Sequence, residues 1–232
     1  MKEQNKKVSL ENLKTQYLIA VEDKSISCLV ELIIEKLNPG YDIKKNEDDH
    51  NDKCVYFNSK CVCDLYVLNG KSKIGQLPNV SGFDKIKLLL LILDKDASAE
   101  IEDCKKEIGE KNNLDLKDLD SCIIPSESQD GNEIEDYICS KLKGENKKKI
   151  NAIGRFINSF ISKFHGSESN SIAKYGKRKL SILLYIESKN LRDVEQDKQE
   201  YIRQIVSNID EQEEIFIKIK DYFNRILEGE SD

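Results

Sequence analysis

The hydrophobic positions of the first 143 residues fall into short continuous runs separated by helical stripes. Continuous apolar runs at Tyr17–Val21, Ile86–Leu93 and Cys122–Ile124 predict buried strands. A helical stripe after the first run begins at Asp23, whose side chain suits an N-cap, and ends at Pro39. A strand that is apolar on both faces belongs inside a parallel sheet covered by helices. The order of elements therefore predicts an α/β fold with a mostly parallel sheet flanked by helices.

Two further strands are expected between the first and second runs. Cys54–Phe57 and Cys61–Leu68 have strand character, with Asn58 and Ser59 between them. The polar stretch Tyr41–Lys53 predicts a surface loop. Residues 98–110 predict a helix with an acidic first turn, which suits the positive end of the helix dipole. Another helix is expected from about Ile134 onwards, because apolar residues there recur at helical spacing.

The chain changes character after Lys143, because only helical stripes recur beyond that residue. The first stripe has apolar residues on one side, which predict a core-facing helix. They are Ile150, Ile153, Phe156, Ile157, Phe160, Ile161 and Phe164. Further helices are expected around residues 172–188, 201–209 and 215–227. The sequence thus predicts an α/β core at residues 1–143 and a helical extension at residues 144–232.

Charge is unevenly distributed around a net value of −6. Residues 141–180 contain 11 Lys or Arg and 2 Glu, whereas the rest of the chain holds 26 basic and 41 acidic side chains. A basic segment inside an acidic protein indicates an anionic partner. A merely solvated helix face is the alternative.

Neither a membrane partner nor secretion is expected. The longest strongly apolar run, Ile86–Leu93, is too short to cross a bilayer. Residues 1–13 are polar and do not form the apolar region of a signal peptide. These features predict a cytoplasmic protein.

The seven cysteines form two groups. Those within apolar segments predict buried thiols, as expected for a cytosolic protein. They are Cys28, Cys104, Cys122 and Cys139. Cys54, Cys61 and Cys63 lie near His50 and would offer zinc ligands, but the C-x2-C pairs of zinc sites are missing. Cys61 and Cys63 are better explained as residues on alternating faces of a strand.

Carboxylates follow two of the predicted strands. Glu22 comes directly after the first strand, and Asp94 and Asp96 follow the strand Ile86–Leu93. Ligands of parallel α/β sheets bind beyond the carboxyl ends of the strands, and residues two apart can point the same way there. Such oxygens suit Mg²⁺, with Mn²⁺ as a substitute. The alternative is a polar loop that contains a helix cap.

These residues resemble the hallmarks of the Toprim domain. In that family a Glu closes the first strand and a D-x-D motif closes a later one, as in YLIAVE and KLLLLILDKDAS here. Toprim domains occur in topoisomerases, primases, OLD-family nucleases and small stand-alone bacterial proteins. The segment CIIPSESQDGNEIEDYIC is similar to one in the stand-alone members, where a strand ends in Pro and a Gly precedes an acidic helix start. The residues at those positions are Pro125, Gly131, Glu133, Glu135 and Asp136.

The resemblance covers residues 17–142 well and the remainder weakly. Two positions depart from the family pattern. Asp23 stands where a Gly usually follows the Glu, and Ile26 stands where an Asp is common. The first departure changes the expected backbone at the end of the strand, and the second removes one carboxylate. Neither affects the three acidic residues that would bind the metal ion.

The resemblance implies Mg²⁺-dependent phosphodiester hydrolysis, that is, a nuclease of the OLD type. Asp94 and Asp96 would bind the metal ion, and Glu22 would be a further ligand or the general base. Glu135 would support a second metal ion or be an ordinary first-turn acid. One of the lysines from Lys174 to Lys179, with Lys179 as the candidate, would approach the scissile phosphate.

Nucleic acid, either DNA or RNA, is the expected anionic partner. The basic residues expected to contact its phosphates are Lys147, Lys148, Lys149, Arg155, Lys174, Lys177, Arg178 and Lys179. The resemblance also implies a role in phage defence, in which such nucleases work with an ATPase. The chain has no G-x4-G-K-S/T motif, so the ATPase would be encoded separately. A homo-oligomer is compatible with this interpretation.

Two other functions are consistent with the same residues. One is a catalytically degenerate Toprim module that binds nucleic acid or a partner protein. The other is a haloacid-dehalogenase-like phosphatase, because D-x-D after an apolar strand also marks that family. In those phosphatases, however, the motif normally ends the first strand and is followed by Thr or a Gly-containing turn. Here it lies late, and Ala97 and Ser98 follow it.

Overall fold

The computed structural model places a large part of the chain in a single sheet and the helices that cover it. The described residues are 14–45, 52–70, 73–74, 77, 85–97, 101–103, 105–106, 108, 118–126, 129, 131, 133–165, 179–180, 182–184, 194–207 and 209–229.

The sheet has six strands in the order β2-β3-β4-β1-β5-β6. The strands are β1 (Tyr17–Val21), β2 (Tyr41–Lys45), β3 (Asp52–Phe57), β4 (Lys60–Val67), β5 (Leu88–Asp94) and β6 (Leu119–Ile124). β1 pairs in parallel with both β4 and β5, and β5 pairs in parallel with β6. β3 pairs antiparallel with β2 and β4, so among the six strands of this sheet it alone has the opposite direction. The predicted fold class, a mostly parallel α/β sheet flanked by helices with helices at the C-terminus, is confirmed.

Helices follow the strands and cover the sheet. They are α1 (Lys24–Leu37), α2 (Ile134–Lys141), α3 (Gly144–His165), α4 (Val194–Val206) and α5 (Glu214–Gly229), with a 3₁₀ turn at Lys95–Ala97. Asp23 caps α1 as predicted, since its Oδ1 accepts hydrogen bonds from the backbone N–H groups of Ser25 and Ile26 at 2.8 and 2.9 Å. The described residues of the expected helices at 98–110 and 172–188 are also helical. No helix in the described part of the chain is both long and apolar enough to cross a membrane.

The central strands are apolar on both faces, as expected for strands inside a covered sheet. Ile19 and Val21 belong to a core that includes residues of α1 to α5, whereas Leu18 and Ala20 face a second core on the other side of the sheet. The first core is continuous across residue 143. Tyr222 of α5, for example, is buried and donates a hydrogen bond to the carbonyl of Leu88 at 3.1 Å. The helical extension therefore stabilises the same sheet that carries the acidic residues.

The predicted surface loop at Tyr41–Lys53 is wrong at residues 41–45 and 52–53, because the structure has β2 and the start of β3 there, and residues 46–51 lie outside the described residues. The sequence YDIKK does alternate in polarity, but it is short and half charged. Its strand conformation depends on antiparallel pairing with β3 and on the Tyr41 ring, which lies 5.2 Å from the ring of Phe57 and 4.9 Å from that of Phe223. Charged side chains on an edge strand also discourage pairing with other chains.

The helical stripe of α3 is only partly a core face. Ile150, Ile153 and Ile157 are buried, but Phe156 and Phe160 are 68% and 55% exposed. The apolar residues of the stripe spread over an arc of about 140° at 3.6 residues per turn. The buried Ile side chains lie on one side of that arc and join the core, whereas Phe156 and Phe160 lie towards its other border, which faces solvent.

A β-bulge determines the position of the cysteines. Val55 pairs with Cys63 and Tyr56 with Cys61, so one extra residue of β4 is left between these pairs. The bulge separates Cys61 from the core face that holds Cys63 and brings it to Cys54, with which it forms a disulfide. The expected alternation of Cys61 and Cys63 is therefore found, with a bulge as its cause. Cys122 and Cys139 are buried free thiols as predicted, Cys28 is a half-buried free thiol, and Cys104 lies outside the described residues.

Gly131 precedes α2 in a conformation that only glycine adopts easily. Its φ is +102°, and a Cβ atom there would lie 2.3 Å from the Cβ of Asp136. Asp136 and Glu133 form a capping box at the start of α2. The close approach of Gly131 therefore fixes where this helix begins.

We expect Gly131→Ala to destabilise the fold by about 1–3 kcal/mol more than Gly70→Ala, because only the first change forces atoms into overlap. Gly70 is a matched control, since its φ is +117° but a Cβ there meets nothing within 4 Å. Chemical denaturation of both variants measures the difference. Equal losses would contradict the proposed contact with Asp136.

Candidate metal centre

The acidic residues meet because their strands are neighbours in the sheet. β1 and β5 run in parallel, with Val21 opposite Ile92. Glu22 follows β1 directly, and its N–H donates to the carbonyl of Ile92 at 3.1 Å, which extends the pairing by one residue. Asp94 is the last residue of β5. Both carboxylates are thereby fixed at the carboxyl edge of the sheet, where ligands of parallel sheets bind.

Carboxylate oxygens from Glu22, Asp94 and Asp96 all lie within 4.8 Å of one another. Glu22 is 8% exposed, Asp94 is half-buried and Asp96 is exposed. The cluster therefore has a buried floor and an open side. Three hard oxygen ligands with room for waters match the coordination that Mg²⁺ prefers.

Backbone hydrogen bonds orient two of these carboxylates. The N–H of Asp94 donates to Oε2 of Glu22 at 3.0 Å, and the N–H of Ile134 donates to Oδ1 of Asp94 at 2.7 Å. Ile134 is the first residue of α2, so Asp94 lies at the positive end of that helix. The start of α2 therefore takes part in the site although it lies 40 residues further along the chain.

The electrostatics of the cluster favour a bound cation. Burial and, to a lesser degree, the charges of Glu22 and Asp23 raise the pKa of Asp94 to about 8, although the hydrogen bond from Ile134 lowers it. A dication would stabilise the ionised carboxylates and reverse this effect. The residue types, their separation and this unfavourable crowding therefore fit a divalent metal ion.

Glu135 lies beside the cluster and has a basic partner. It contributes to the raised pKa of Asp94, but its own Oε1 accepts a hydrogen bond from Lys198 Nζ at 2.7 Å. Both side chains are largely buried. Glu135 is not among the three residues whose oxygens converge within 4.8 Å. Its position next to the site thus depends on a lysine from α4.

Sequence reasoning missed Lys198, although a signal was present. Lys198 precedes Tyr201 and Ile202 by three and four residues, so it lies on the same inward side of α4. A lysine on the apolar side of a helix needs a buried partner. Lys95, between the two aspartates of the motif, was also overlooked as a charged group, and its Nζ donates to the carbonyl of Gln129 at 3.1 Å.

The basic residues expected to contact phosphates are in different environments. Lys148 and Arg155 are exposed on α3. Lys147 donates to the carbonyls of Cys139 and Ser140 at the end of α2, at 3.3 and 3.0 Å. Lys149 pairs with Glu145 at 3.8 Å, as a surface ion pair one helical turn apart.

Lys179, the expected catalytic lysine, is only 5% exposed. Its charge lowers the pKa of the Cys139 thiol, which burial raises to about 12, so it lies close to α2. A side chain this buried is not part of the exposed basic surface. The other late candidates, Lys174, Lys177 and Arg178, lie outside the described residues.

A cavity of about 350 Å³ lies at the end of β6. Its wall includes Ile124, which lies opposite Asp94 in the β5–β6 register. The lining residues are Ile123, Ile124, Ser126, Gln129, Tyr137, Gln212, Glu213, Glu214 and Ile215. Among the described residues the wall has hydroxyl, amide and carboxylate groups but no Lys or Arg, so the chemistry of these residues does not suit a phosphate.

Cys54, Cys61 and Asp64 also have potential ligand atoms within 4.8 Å of one another. The two sulfur atoms are joined in the disulfide. Asp64 accepts hydrogen bonds from the N–H and the hydroxyl of Thr15, both at 2.8 Å, and so holds the segment before β1. This group is therefore structural in its present state, and a zinc site is not needed to explain it.

The raised pKa of Asp94 predicts a pH-dependent stability of the metal-free protein. An unfolded Asp has a pKa of about 3.9, so the contribution of Asp94 to the free energy of unfolding is lost as the pH rises from about 4 to about 8. The Asn side chain in the variant Asp94→Asn does not titrate, so this loss of stability is absent from the variant. The variant should therefore gain stability over the wild type as the pH increases over this interval.

Urea denaturation with a chelator at about pH 5 and about pH 9 measures this gain. Asp42→Asn is a matched control, because Asp42 is an exposed aspartate of β2. A constant difference between Asp94→Asn and wild type at the two pH values would show that Asp94 is not perturbed.

Comparison with known proteins gives no further identification. No protein-family model, no curated protein and no solved structure matches this chain. The geometry of the carboxylates, together with the sequence patterns, is therefore the basis for inferring a function.

Proposed function

We propose that this chain is a Mg²⁺-dependent nuclease of the Toprim type, which hydrolyses phosphodiester bonds of DNA or RNA. The observation that carries the proposal is the convergence of oxygens from Glu22, Asp94 and Asp96 within 4.8 Å. They lie at the end of two parallel strands, and one side of the cluster is open to solvent. The sequence resemblance to Toprim domains, which have the same residue types at the same strand ends, supports the proposal.

Asp94 and Asp96 would hold the metal ion, and Glu22 would complete the ligand set from the buried side of the cluster. When bound, Mg²⁺ supplies Lewis-acid activation of the phosphate and acidification of a water molecule. The protein contributes the orientation of the ligands. The N–H of Ile134 fixes one oxygen of Asp94, and the N–H of Asp94 fixes one oxygen of Glu22.

Asp94 also links metal binding to pH. Its pKa of about 8 in the metal-free protein means that it carries a proton at neutral pH. Binding of the cation requires the ionised carboxylate, so the proton is released. Metal affinity and activity should therefore both increase between about pH 6 and pH 8.

Positive groups beside the carboxylates would contact the substrate phosphate. Lys95 lies between the two metal-binding aspartates and is half-buried at the same edge. Lys198 reaches the edge from α4 through its ion pair with Glu135. An ammonium group beside a transferring phosphoryl group stabilises the charge that develops during hydrolysis.

The basic side of the molecule would bind the rest of the nucleic acid. Lys148 and Arg155 are exposed on α3, in the most basic part of the chain. Contacts to phosphates release counterions, so affinity should decrease steeply with salt.

Asp94→Asn should abolish cleavage, with a loss of at least about 10³-fold, while nucleic-acid binding stays equal or becomes tighter. The substitution removes a metal ligand and a negative charge that faces phosphate, but keeps size and shape. Cleavage assays with labelled DNA and RNA in Mg²⁺ or Mn²⁺, beside binding assays in a chelator, measure both effects. Asp42→Asn, an exposed acid of the edge strand, should cleave like the wild type.

Mg²⁺ should also raise the melting temperature of the wild type, because it binds only the folded state, and this gain should largely disappear in Asp94→Asn. If neither protein cleaves any substrate and Mg²⁺ shifts neither melting curve, the nuclease proposal is wrong. A catalytically degenerate module would then be the better description.

A further inference from the structure

The solvent-facing side of α3 combines aromatic and basic side chains. Phe156 and Phe160 are 68% and 55% exposed, and Lys148, Arg155 and Lys163 are exposed on the same helix. Phe is among the residues most often found inside proteins, so two exposed rings one turn apart need an explanation. We call these five residues the α3 surface.

The five side chains lie close together around the helix. At 3.6 residues per turn they span an arc of about 140°, with the rings at one border and the cations beside them. The adjoining arc of the same helix is buried in the core through Ile150, Ile153 and Ile157. The α3 surface is therefore separate from the face of the helix that packs into the core.

The charge of α3 determines which partner fits. The helix has five Lys or Arg and one Glu. A second copy of this chain would bring the same cations together across a two-fold axis, which is unfavourable. An anionic lipid surface would require a wide apolar face for insertion, and that face of α3 is already buried in the protein.

Single-stranded nucleic acid satisfies both chemical features. Bases of a single strand have free faces that stack on aromatic rings, and its phosphates pair with Lys and Arg. The rise between Phe156 and Phe160 is about 6 Å along the helix, a separation that successive bases of an extended strand can match. In a duplex the faces of the bases are already stacked on one another, so the rings would have no partner.

We propose that the α3 surface is a stacking platform for single-stranded nucleic acid, with bases on Phe156 and Phe160 and phosphates on Lys148, Arg155 and Lys163. Its biological role rests on the proposed nuclease function, because it would select the strand that reaches the metal centre. The binding itself requires neither the metal ion nor hydrolysis. The two proposals can therefore be tested separately.

The test measures binding in a chelator and in the Asp94→Asn background, so that no cleavage occurs. Fluorescence anisotropy with single-stranded DNA, single-stranded RNA and duplex DNA of about 20 nucleotides gives the affinities. Single strands should bind about tenfold more tightly than the duplex. The double substitution Phe156→Ala with Phe160→Ala should weaken single-strand binding by at least about tenfold and change duplex binding by less than about twofold.

Matched variants separate stacking from general apolar contact. Tyr at both positions keeps the ring and should retain binding, whereas Leu at both positions keeps an apolar side chain and should lose it. Ile217→Ala is a control for the loss of an exposed apolar residue, since Ile217 is 39% exposed on α5, and it should bind like the parent. Because both rings are exposed, these variants should melt at the temperature of the parent.

Several results would overturn the platform. Unchanged single-strand affinity in the double Ala variant, or equal affinity of the Leu and Tyr variants, would exclude base stacking. Sedimentation that shows a dimer for the parent and a monomer for the double Ala variant would identify the α3 surface as a contact between copies. Binding to anionic vesicles that is lost with the same variants would identify it as a lipid contact. A different result would separate the two proposals. If the parent protein never cleaves nucleic acid but the Phe variants lose single-strand binding, the stacking platform is supported and the nuclease proposal is wrong.

Discussion

The parallel pairing of β1 with β5 is the interaction on which the candidate site depends. These strands are separated by about 70 residues in the chain, yet their register places the end of one beside the end of the other. Glu22 and Asp94 are then joined by a hydrogen bond from the backbone N–H of Asp94 to the side-chain Oε2 of Glu22. Because both strands are apolar on both faces, a shift of the register by one residue would not exchange an apolar face for a polar one, but it would draw a polar residue from a strand end, such as Glu22 or Lys87, into the apolar sheet. The polar residues that bound the two apolar runs therefore fix the site as well as the sheet.

The carboxylates are held together against their mutual repulsion. Burial and neighbouring charges raise the pKa of Asp94, which means that its ionised form is disfavoured in the metal-free fold. The N–H group at the start of α2 offsets only part of this effect. Arrangements of this kind reduce the stability of a fold and are typical of residues that are used for binding or chemistry. The helical extension contributes to the balance, because Lys198 neutralises Glu135 close to the cluster.

The helices after residue 143 all have an amphipathic sequence pattern, but they have two different roles in the structure. α4 and α5 complete the core beneath the sheet, and α5 contacts β5 directly through Tyr222. α3 contacts the core with one narrow side and turns cations and two aromatic rings to solvent. An acidic edge and a basic helix thus belong to one fold with a continuous core. For the proposed nuclease this separation is reasonable, since the first would bind a cation and the second would bind the phosphates and bases of the substrate.

The sequence by itself determined the features that depend on neighbouring residues. Local patterns predicted the strands β1 and β5, the helix α1 with its Asp23 cap, and the acidic residues at the strand ends. They could be predicted because apolar runs, caps and the residues that follow them are visible in the local sequence.

The tertiary structure decided the rest. β2 is short and charged, so it becomes a strand only through its pairing with β3. The wide stripe of α3 could not show which part would contact the sheet, and Lys198 required a buried acid from another helix to define its role. A bulge in β4, which pairing alone creates, brought Cys61 to Cys54. Each of these features depends on residues distant in sequence, because packing and pairing, and not local preference, determine which side of an element faces its neighbours.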